Sequence, residues 1–309
     1  MSDRSVSIVE WSAIVAIIAI DAIFAAATGI GIRRVGAYTE LFGIIFALWP
    51  AIAVLTRVTG FAKGGAFLAE AVAKTLIFIY VATVLEYDLA TSPAPLYDDV
   101  LIRADRALGF DWPAVFAWFE SHAGVSRIIG FAYFSLAKEA MLVLLVTALF
   151  YPTRARQVPT ALILSSLMTI PALWIFPVAG AFVVFDHGSL PQASFTADYL
   201  GMRAHTMAQI PLDDPRGMIS FPSFHASSAV LLTYLVRGIP VLYPAAFLFN
   251  GLMVLGTPFF GGHYLVDVLA GLAVAGITIV ILEGVDLGKE LRRLAVFPRV
   301  GRPPVGDPR

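Results

Sequence analysis

Long apolar stretches recur along almost the whole chain, and they constrain its fold more than any other feature. A helix needs about 20 predominantly apolar residues to cross the hydrocarbon core of a bilayer. The chain is 59% hydrophobic. The core of a soluble protein of this length could not bury that much apolar surface. The sequence therefore predicts an all-α fold, a polytopic membrane helix bundle with about eight transmembrane helices. The predicted spans are Trp11–Ile32, Leu41–Leu55, Ala66–Leu85, Ile128–Tyr151, Ala161–Phe185, Ser223–Val236, Val241–Thr257 and His263–Leu282.

Charge and cysteine content exclude several classes of function. Charged residues make up 14% of the chain and the formal net charge is −1, so no basic field argues for nucleic acid as a partner. The chain has no cysteine, which excludes disulfides, thiolate metal ligands and cysteine nucleophiles. We predict no cofactor and no metal, and nothing in the sequence identifies a protein partner.

Basic residues between the predicted spans indicate which side faces the cytoplasm, because Lys and Arg are enriched in short cytoplasmic loops. If the spans alternate, Arg154 and Arg237 fall on the same side as the basic C-terminal segment 284–309. This predicts a multi-pass protein of the cell membrane with a cytoplasmic tail at 284–309. Arg33 and Arg34 are exceptions, because the same count places them outside.

Two long polar segments, residues 88–127 and 186–220, are predicted to face outward, into the periplasm or another extracytoplasmic space. Apolar residues in the first segment alternate with charges at roughly helical spacing, which predicts one or two amphipathic helices on the membrane surface. All five histidines fall on the outward side. The apolar positions of the first segment are Leu96, Val100, Leu101 and Leu108.

The sequence SFPSFHASS joins a polar loop to an apolar run. Proline is favoured in the first turn of a helix, so Pro222 predicts that Ser223 and His225 lie at a helix N-terminus. Free backbone N–H groups and the positive end of the helix dipole make such a terminus an anion site. We expect a phosphate to bind at Ser223 and Phe224, with His225 within reach of one oxygen.

The sequence GTPFFGGHYLVDVLAG ends an outward loop with two glycines and begins the last span at His263. Asp267 follows four residues later, and residues at this spacing share a helix face. The carboxylate is therefore expected to accept a hydrogen bond from one ring nitrogen and to leave the other free to attack phosphorus. His225 would protonate the leaving alkoxide and then deprotonate the incoming water or alcohol.

Simpler interpretations of these residues stay open. His225 is also consistent with a helix-capping role, and His263 with Asp267 is consistent with a structural hydrogen bond. The three side chains also have the chemistry of a zinc site.

The two motifs together resemble the second and third motifs of the type 2 phosphatidic acid phosphatase superfamily, namely PSFH followed by H-x-x-x-D. The forms FPS-x-H and GGHY-x-x-D-x-x-AG, with RADRALGFDWP, look closer to its inositolphosphotransferase-like branch, which includes the fungal inositol phosphorylceramide synthases. The resemblance covers roughly residues 97–271. It implies a six-helix core, an outward-facing site, no metal and histidine-based phosphoryl transfer. Residues 66–283 would then be the phosphatase- or phosphotransferase-like membrane domain, and residues 1–65 an N-terminal transmembrane hairpin.

Two departures from that superfamily remove three cationic phosphate ligands. Its first motif has a Lys and, seven residues later, an Arg-Pro pair, but FPVAGAFVVFDHG occupies that place in this chain. Its third motif has an Arg six residues before the His, where this chain has Thr257. Because the phosphoryl oxygens still need positive partners, Arg216, Arg203 and Lys138 are the predicted substitutes.

The sequence favours a membrane lipid-phosphate phosphatase that forms a phosphohistidine at the outer membrane face. A lipid head-group phosphotransferase is the alternative, because only the acceptor differs. Charges within the spans support a transporter, and the missing cations support a catalytically dead scaffold. Glu70 and Lys74 are expected to pair at i,i+4, whereas Lys138 either pairs with Asp21 or Glu139 or binds a head group.

Overall fold

The computed structural model describes residues 3–33, 63–212 and 216–295. Regular structure within these ranges is almost entirely helical, which confirms the all-α fold. The strand pairing found there is a two-residue parallel ladder between β1 (Gly31–Ile32) and β2 (Gln209–Ile210), which ties the end of the first helix to the segment 186–220.

The described residues form fourteen α-helices. The first six are α1 (Asp3–Thr28), α2 (Lys63–Leu89), α3 (Asp98–Ala107), α4 (Trp112–Ser121), α5 (Ala123–Tyr133) and α6 (Leu136–Phe150). The next five are α7 (Pro152–Ala155), α8 (Gln157–Thr169), α9 (Ala172–Ile175), α10 (Ala181–Val184) and α11 (Phe195–Arg203), with a 3₁₀ turn at Pro191–Ala193. The last three are α12 (Phe224–Leu235), α13 (Leu242–Phe260) and α14 (Leu265–Ala295).

Four helical stretches of the described residues are long and apolar enough to cross a bilayer, and the bent pair α5 and α6, at 49°, is a fifth candidate. The chain is therefore a multi-pass membrane protein. The predicted number of eight spans is higher than these residues support. The four stretches are Ser5–Thr28, Pro152–Ile175, Leu242–Phe260 and Leu265–Val285.

The difference in span number has identifiable sources. The predicted span Leu41–Leu55 lies outside the described residues. The predicted span Ser223–Val236 corresponds to α12, whose 12 residues extend only about 18 Å against a hydrocarbon core of roughly 30 Å. The predicted span Ala66–Leu85 is helical within α2, which is not among the four candidates. At the C-terminus, α14 extends the helix into the predicted tail 284–309, of which residues 296–309 lie outside the description.

Helix α12 lies at the centre of the core. Its buried Leu231, Leu232 and Leu235 pack with apolar side chains of α2, α6, α8 and α14. The backbones of α12 and α14 approach so closely that a Cβ on Gly271 would lie 2.3 Å from the carbonyl oxygen of Ser223. Only glycine fits at such an approach, and the contact holds the starts of the two helices side by side.

A buried ionic cluster joins α1 to α2. The Nζ of Lys74 lies 2.5 Å from Glu10 Oε2 and 3.4 Å from Glu70 Oε1. The predicted pairing of Glu70 with Lys74 is therefore present, and Glu10 of α1 is the nearer partner. Thr160 of α8 donates its hydroxyl to Glu10, so the cluster ties three helices together and packs α1 into the same bundle.

The two ends of the bundle carry different groups. At one end Arg154 donates to the backbone carbonyl of Arg237, which follows the last turn of α12. At the other end lies His225, in the first turn of the same helix. Arg154 and Arg237 thus share one side and the histidine motifs lie on the other, as the sequence predicted. The backbone N–H of Arg33 donates to the carbonyl of Ile210 at 3.0 Å, on the histidine side.

The predicted surface segment 88–127 contains the two helices α3 and α4. The buried residues of α3 are Asp98, Leu101 and Asp105, whereas Val100 and Leu108 are exposed. The apolar positions therefore do not form one stripe, since Leu101 packs in the core. The reason is tertiary, because both carboxylates find backbone N–H donors on the core side. The segment does contain two helices, and their place on the membrane surface stays a prediction.

Candidate active site

The N-terminus of α12 forms the first half of the candidate site, and the helix begins where the sequence predicted a helix N-terminus. Ser223 is its N-cap, and the Ser223 hydroxyl accepts a hydrogen bond from the backbone N–H of Ala226 at 3.3 Å. The backbone N–H of Ser223 donates to the carbonyl oxygen of Asp267 at 3.0 Å. This N–H is therefore already used, and the predicted phosphate contacts at this terminus are left to the Ser223 hydroxyl and to Phe224.

His263 forms the second half and lies in the loop before α14, not in the helix. Helix α14 begins at Leu265, so the predicted start of the last span at His263 is two residues too early. The ring is buried, with its Nδ1 2.7 Å from the carbonyl oxygen of Ser220 and 3.4 Å from Asp267 Oδ2. The shorter contact makes Ser220, rather than Asp267, the main acceptor for an Nδ1–H. The sequence could not predict the contact between His263 and Ser220, because Ser220 belongs to a different loop.

The other ring nitrogen of His263 faces the start of α12. Its Nε2 lies 3.4 Å from Ser223 Oγ. When Nδ1 carries the proton and donates to Ser220, Nε2 keeps its lone pair. In this tautomer the unprotonated nitrogen faces the N-terminus of α12, where an anion is favoured.

Asp267 is fully buried at the start of α14. Its Oδ2 accepts the backbone N–H of Tyr264 at 2.8 Å and lies beside the Nδ1 of His263. Its Oδ1 is buried and has no hydrogen-bond partner within the described residues. An unsatisfied buried carboxylate oxygen is costly, and it is suited to a positive charge that develops on the adjacent imidazole during reaction.

His225 stacks against Tyr133 of α5, with ring centroids 4.2 Å apart and planes inclined by 12°. His225 also lies within electrostatic range of His263. A Cβ on Gly261 would lie 2.5 Å from both the Tyr133 hydroxyl and His263 Cδ2. Tyr133 and Gly261 therefore connect the two histidines across one small space. Sequence reasoning identified Gly261 only as part of a turn and missed Tyr133.

Asp98 of α3 forms hydrogen bonds to two loops beside the candidate site, one at Ala179–Gly180 and one at Tyr264. Its Oδ2 accepts the backbone N–H of Ala179 at 3.0 Å, and its Oδ1 accepts that of Gly180 at 2.9 Å and the hydroxyl of Tyr264 at 2.9 Å. Gly180 has a φ of 89°, a left-handed conformation that suits glycine. The segment that replaces the cationic first motif therefore lies against the His263 loop.

Asp105, two turns later on α3, supports the start of α14. Its two carboxylate oxygens accept the backbone N–H groups of Leu265 and Val266, each at 2.9 Å. Those are unpaired donors of a helix N-terminus. Burial raises the pKa of the Asp105 carboxyl, although the two donors oppose this shift. Sequence reasoning missed both carboxylates. Their i,i+7 spacing, which places Asp98 and Asp105 on one helix face, was the feature that could have indicated them.

The three predicted cations occupy different places. Arg203 donates to the carbonyl oxygens of Ser92, at 2.9 Å, and Ala94. Arg216 donates to the carbonyl oxygen of Ser194 at 2.8 Å, and its Nη1 lies 3.7 Å from Asp198 Oδ2. These bonds hold both guanidinium groups against loops and α11, so the phosphate-binding role of Arg203 and Arg216 stays a prediction.

Lys138 lies elsewhere, in an open groove of about 520 Å³ between α5, α6 and the end of α13. The predicted pairing of Lys138 with Asp21 or Glu139 is not found among the described contacts. Glu139 instead accepts a hydrogen bond from Asn250 at 2.6 Å. The head-group role of Lys138 stays a prediction. No group of three or more His, Asp and Glu side chains arranged to hold a metal occurs in the described part of the chain.

Comparison with known proteins adds one finding. Residues 99–281 match a family model described as the PAP2 superfamily. The match spans more than half of the chain and includes His225, His263 and Asp267. A search of curated proteins and a search of solved structures each gave no match.

Proposed function

Because this chain belongs to the PAP2 superfamily, we propose that it is a membrane lipid-phosphate phosphatase that forms a phosphohistidine on His263. The supporting observation is the orientation of the His263 ring. Its Nδ1 is 2.7 Å from the Ser220 carbonyl, and its Nε2 faces Ser223 at the N-terminus of α12. A fixed tautomer with a free nitrogen at an anion site has the geometry that nucleophilic attack on phosphorus requires.

In the proposed first step, the lone pair of His263 Nε2 forms a bond to phosphorus and the ester P–O bond breaks. The leaving alkoxide takes a proton from His225. Burial lowers the pKa of this imidazole, and in this proposal the bound dianionic phosphate opposes that shift by stabilising the imidazolium. The phosphorylated imidazole keeps its Nδ1–H and becomes cationic. The carboxylate of Asp267 stabilises that charge, because its Oδ2 lies 3.4 Å from Nδ1.

In the proposed second step, neutral His225 takes a proton from water, and the hydroxide attacks phosphorus. The P–N bond breaks, its electrons return to Nε2, and inorganic phosphate leaves. Both proton transfers through His225 balance over one turnover, so the enzyme returns to its starting state. An alcohol in place of water would give the head-group phosphotransferase of the inositolphosphotransferase-like branch, which the motif forms FPS-x-H and GGHY-x-x-D favour.

Negative charge on the phosphoryl oxygens needs donors and cations around the site. The N-terminus of α12 and the Ser223 hydroxyl supply the donors in this proposal. Lys138, Arg216 and Arg203 remain the proposed cations, and Lys138 is the one that lines an open groove next to the site.

The site is proposed to face outward from the cell membrane. Arg154 and Arg237 lie at the opposite end of the bundle, and basic residues in short loops favour the cytoplasm. A substrate head group in the outer leaflet would then meet the two histidines at the depth of the helix ends.

Phosphate release from a panel of lipid phosphates and diphosphates tests the proposal. Wild-type protein in detergent with excess EDTA is expected to release phosphate. His263→Asn is expected to lose at least about a thousandfold in kcat, because the nucleophile is gone. The exposed His122→Asn serves as the matched control and should behave as wild type. Release that requires added metal, or that survives in His263→Asn, would contradict the mechanism.

If neither protein releases phosphate, radiolabelled lipid phosphate and an alcohol acceptor such as inositol are added together. Head-group transfer that depends on His263 would identify the phosphotransferase. A lack of both reactions would leave the transporter and the dead scaffold as the better interpretations.

A further inference from the structure

Helix α3 has a core face that contacts the backbone on both sides of the candidate site. Asp98 accepts the two backbone N–H groups at 179–180, at 3.0 and 2.9 Å, and the hydroxyl of Tyr264 at 2.9 Å. Asp105 accepts the first two N–H groups of α14, each at 2.9 Å. Both carboxylates therefore bind the chain next to Tyr264, which directly follows His263.

The segment that Asp98 binds is itself bonded to the loop of His263. The backbone N–H of Ala181 donates to the carbonyl oxygen of Gly262 at 2.7 Å. A Cβ on Gly180 would lie 3.2 Å from the same oxygen, so the two segments are in close contact. A shift of α3 would therefore move the backbone on both sides of His263.

The opposite face of α3 is exposed and carries two arginines. At 3.6 residues per turn, Arg103 lies about 140° round the helix axis from Asp98 and about 160° from Asp105. Arg103 and Arg106 are both exposed, and no hydrogen bond or ion pair of either guanidinium occurs within the described residues. Asp99 is the one exposed acid of the helix, so the formal charge of this face is positive.

Apolar side chains lie beside these arginines although they are exposed. Leu96 and Val100 are each 41% exposed, and Leu108 is 56% exposed. Asp105 binds the N–H of the first residue of the candidate span Leu265–Val285, so α3 lies at the depth where that span begins. At this depth apolar side chains contact the boundary of the acyl chains, and arginines meet the phosphates of the head groups.

We infer that α3 is a lipid-binding surface helix that regulates the candidate site. Its exposed face binds the head groups of anionic phospholipids through Arg103 and Arg106. Its core face transmits that contact to the site through Asp98 and Asp105. The bound phospholipid belongs to the surrounding bilayer and is not the substrate. The effect on turnover rests on the proposed function, whereas the lipid contact and its effect on the backbone do not.

The transmission is a shift between two populations of α3. Each arginine near an anionic surface adds a favourable interaction, which stabilises the position of α3 in which Asp98 and Asp105 reach their backbone donors. In a bilayer without anionic lipid, the core face alone holds the helix. The hydrogen bonds of the two carboxylates then open more often, and the groups of the candidate site are aligned for a smaller fraction of the time.

Fluorescence quenching tests the lipid contact. Because the natural chain has no cysteine, Val100→Cys carries a single fluorophore on the exposed face. The full chain is placed in nanodiscs of phosphatidylcholine and phosphatidylglycerol, one of which is spin-labelled on the acyl chain next to the head group. Quenching by phosphatidylglycerol should exceed quenching by phosphatidylcholine about threefold, and Arg103→Gln combined with Arg106→Gln should abolish the difference. Equal quenching by the two lipids before the arginines are replaced would overturn the inference.

Hydrogen exchange tests the transmission without requiring turnover. Peptides that cover 177–181 and 263–267 contain the amides that Asp98 and Asp105 bind. These amides should exchange about threefold more slowly with phosphatidylglycerol in the nanodisc than with phosphatidylcholine alone. The double arginine variant should exchange at the faster rate in both bilayers. Asp98→Asn should lose the slowing at 177–181 but keep the preferential quenching. Exchange that is independent of the lipid in the unchanged protein would contradict the transmission.

The matched control is Arg127→Gln, which removes the same charge from an exposed position on α5. It should keep both the lipid preference at the Val100→Cys fluorophore and the slower exchange at 177–181 and 263–267. If Arg127→Gln loses either effect as fully as the double arginine variant does, the response comes from overall charge and not from α3.

A kinetic measurement relates the lipid contact to the proposed function. At saturating lipid phosphate, kcat should be about tenfold higher in nanodiscs with phosphatidylglycerol than in phosphatidylcholine alone. The double variant of Arg103 and Arg106 should have the lower value in both bilayers. A change in KM alone would mean that the arginines only concentrate an anionic substrate, and it would overturn the regulatory role. If no lipid phosphate is turned over in either bilayer, the proposed function fails, while quenching and exchange still decide the role of α3.

Discussion

At the scale of single residues, the proposed chemistry depends most on the orientation of the His263 imidazole. The Nδ1 of His263 has two acceptors, the Ser220 carbonyl at 2.7 Å and Asp267 Oδ2 at 3.4 Å. A neutral carbonyl fixes the tautomer but adds little stabilisation to an imidazolium. In the proposed mechanism the buried carboxylate supplies that stabilisation. The two acceptors therefore divide the orienting and charge-stabilising roles that the sequence assigned to Asp267 alone.

The division of roles predicts the effect of Asp267→Asn. The amide keeps an oxygen for the Tyr264 N–H but cannot balance a cationic phosphoimidazole, so kcat should fall about a hundredfold or more. Phosphate release under saturating substrate measures this loss. Asp99→Asn, at an exposed position on α3, is the charge-matched control. Full activity in Asp267→Asn would mean that the Ser220 carbonyl alone suffices.

Tyr133 supports His225 through its ring. Tyr133→Phe keeps the stacking at 4.2 Å and should lose no more than about threefold in kcat/KM, whereas Tyr133→Ala should lose about tenfold or more. Both variants are compared in the same detergent assay. If Tyr133→Phe is as impaired as Tyr133→Ala, the hydroxyl next to Gly261 takes part directly.

At the scale of helices, the site depends on two N-termini held side by side. Helix α12 presents Ser223 and His225, and α14 presents Asp267, while Asp105 of α3 caps the first N–H groups of α14. The carbonyl of Asp267 also accepts the Ser223 N–H. Backbone contacts between α12 and α14 therefore set the distance between the catalytic groups.

Gly271→Ala tests that dependence. Its Cβ would lie 2.3 Å from the Ser223 carbonyl oxygen, so α14 must move away from α12. We expect a loss of about 1–3 kcal/mol of stability and a fall of about a hundredfold in kcat. Thermal unfolding in detergent and phosphate release measure the two effects.

The same helix offers a matched control for this substitution. A Cβ on Gly276 would meet nothing within 4 Å. Gly276→Ala should therefore raise stability by about 0.5–1 kcal/mol through helix propensity and leave turnover intact. If both substitutions act alike, the close approach at Gly271 does not position the site.

At the scale of the whole molecule, the two ends of the bundle are built from different groups. The histidine end gathers α3, α4, the segment 186–220 and the starts of α12 and α14. The opposite end holds Arg154, Arg237 and Glu283, with Arg237 Nη2 3.6 Å from Glu283 Oε1. If the protein acts on a lipid as proposed, its orientation in the membrane determines which leaflet supplies the substrate.

Cysteine labelling measures the orientation, because the natural chain has no cysteine. Ala107→Cys lies at the histidine end and Pro240→Cys at the arginine end, and both positions are exposed. A membrane-impermeant maleimide applied to intact cells should label Ala107→Cys at once and Pro240→Cys only after permeabilisation. The reverse pattern would place the site in the cytoplasm.

Local features of the sequence were sufficient to predict much of the fold of this molecule. Apolar runs predicted a helical membrane bundle, and Ser223 was correctly identified as a helix start, because capping depends on neighbouring residues. The described residues contain four or five candidate spans, and the predicted span 41–55 lies outside them, so the full number of eight stays a prediction. The motifs at His225 and His263 predicted the family that residues 99–281 match.

The sequence by itself determined that the chain folds in a membrane, that it is helical, and which residue types are candidates for the site. These properties follow from composition and from neighbours within a few positions. Only the tertiary structure decided which groups meet: Ser220 with His263, Tyr133 with His225 and Asp98 with Tyr264. Asp98 and Tyr264 are 166 residues apart. Such contacts arise from the packing of whole helices, in which many weak apolar contacts fix positions that no local pattern encodes.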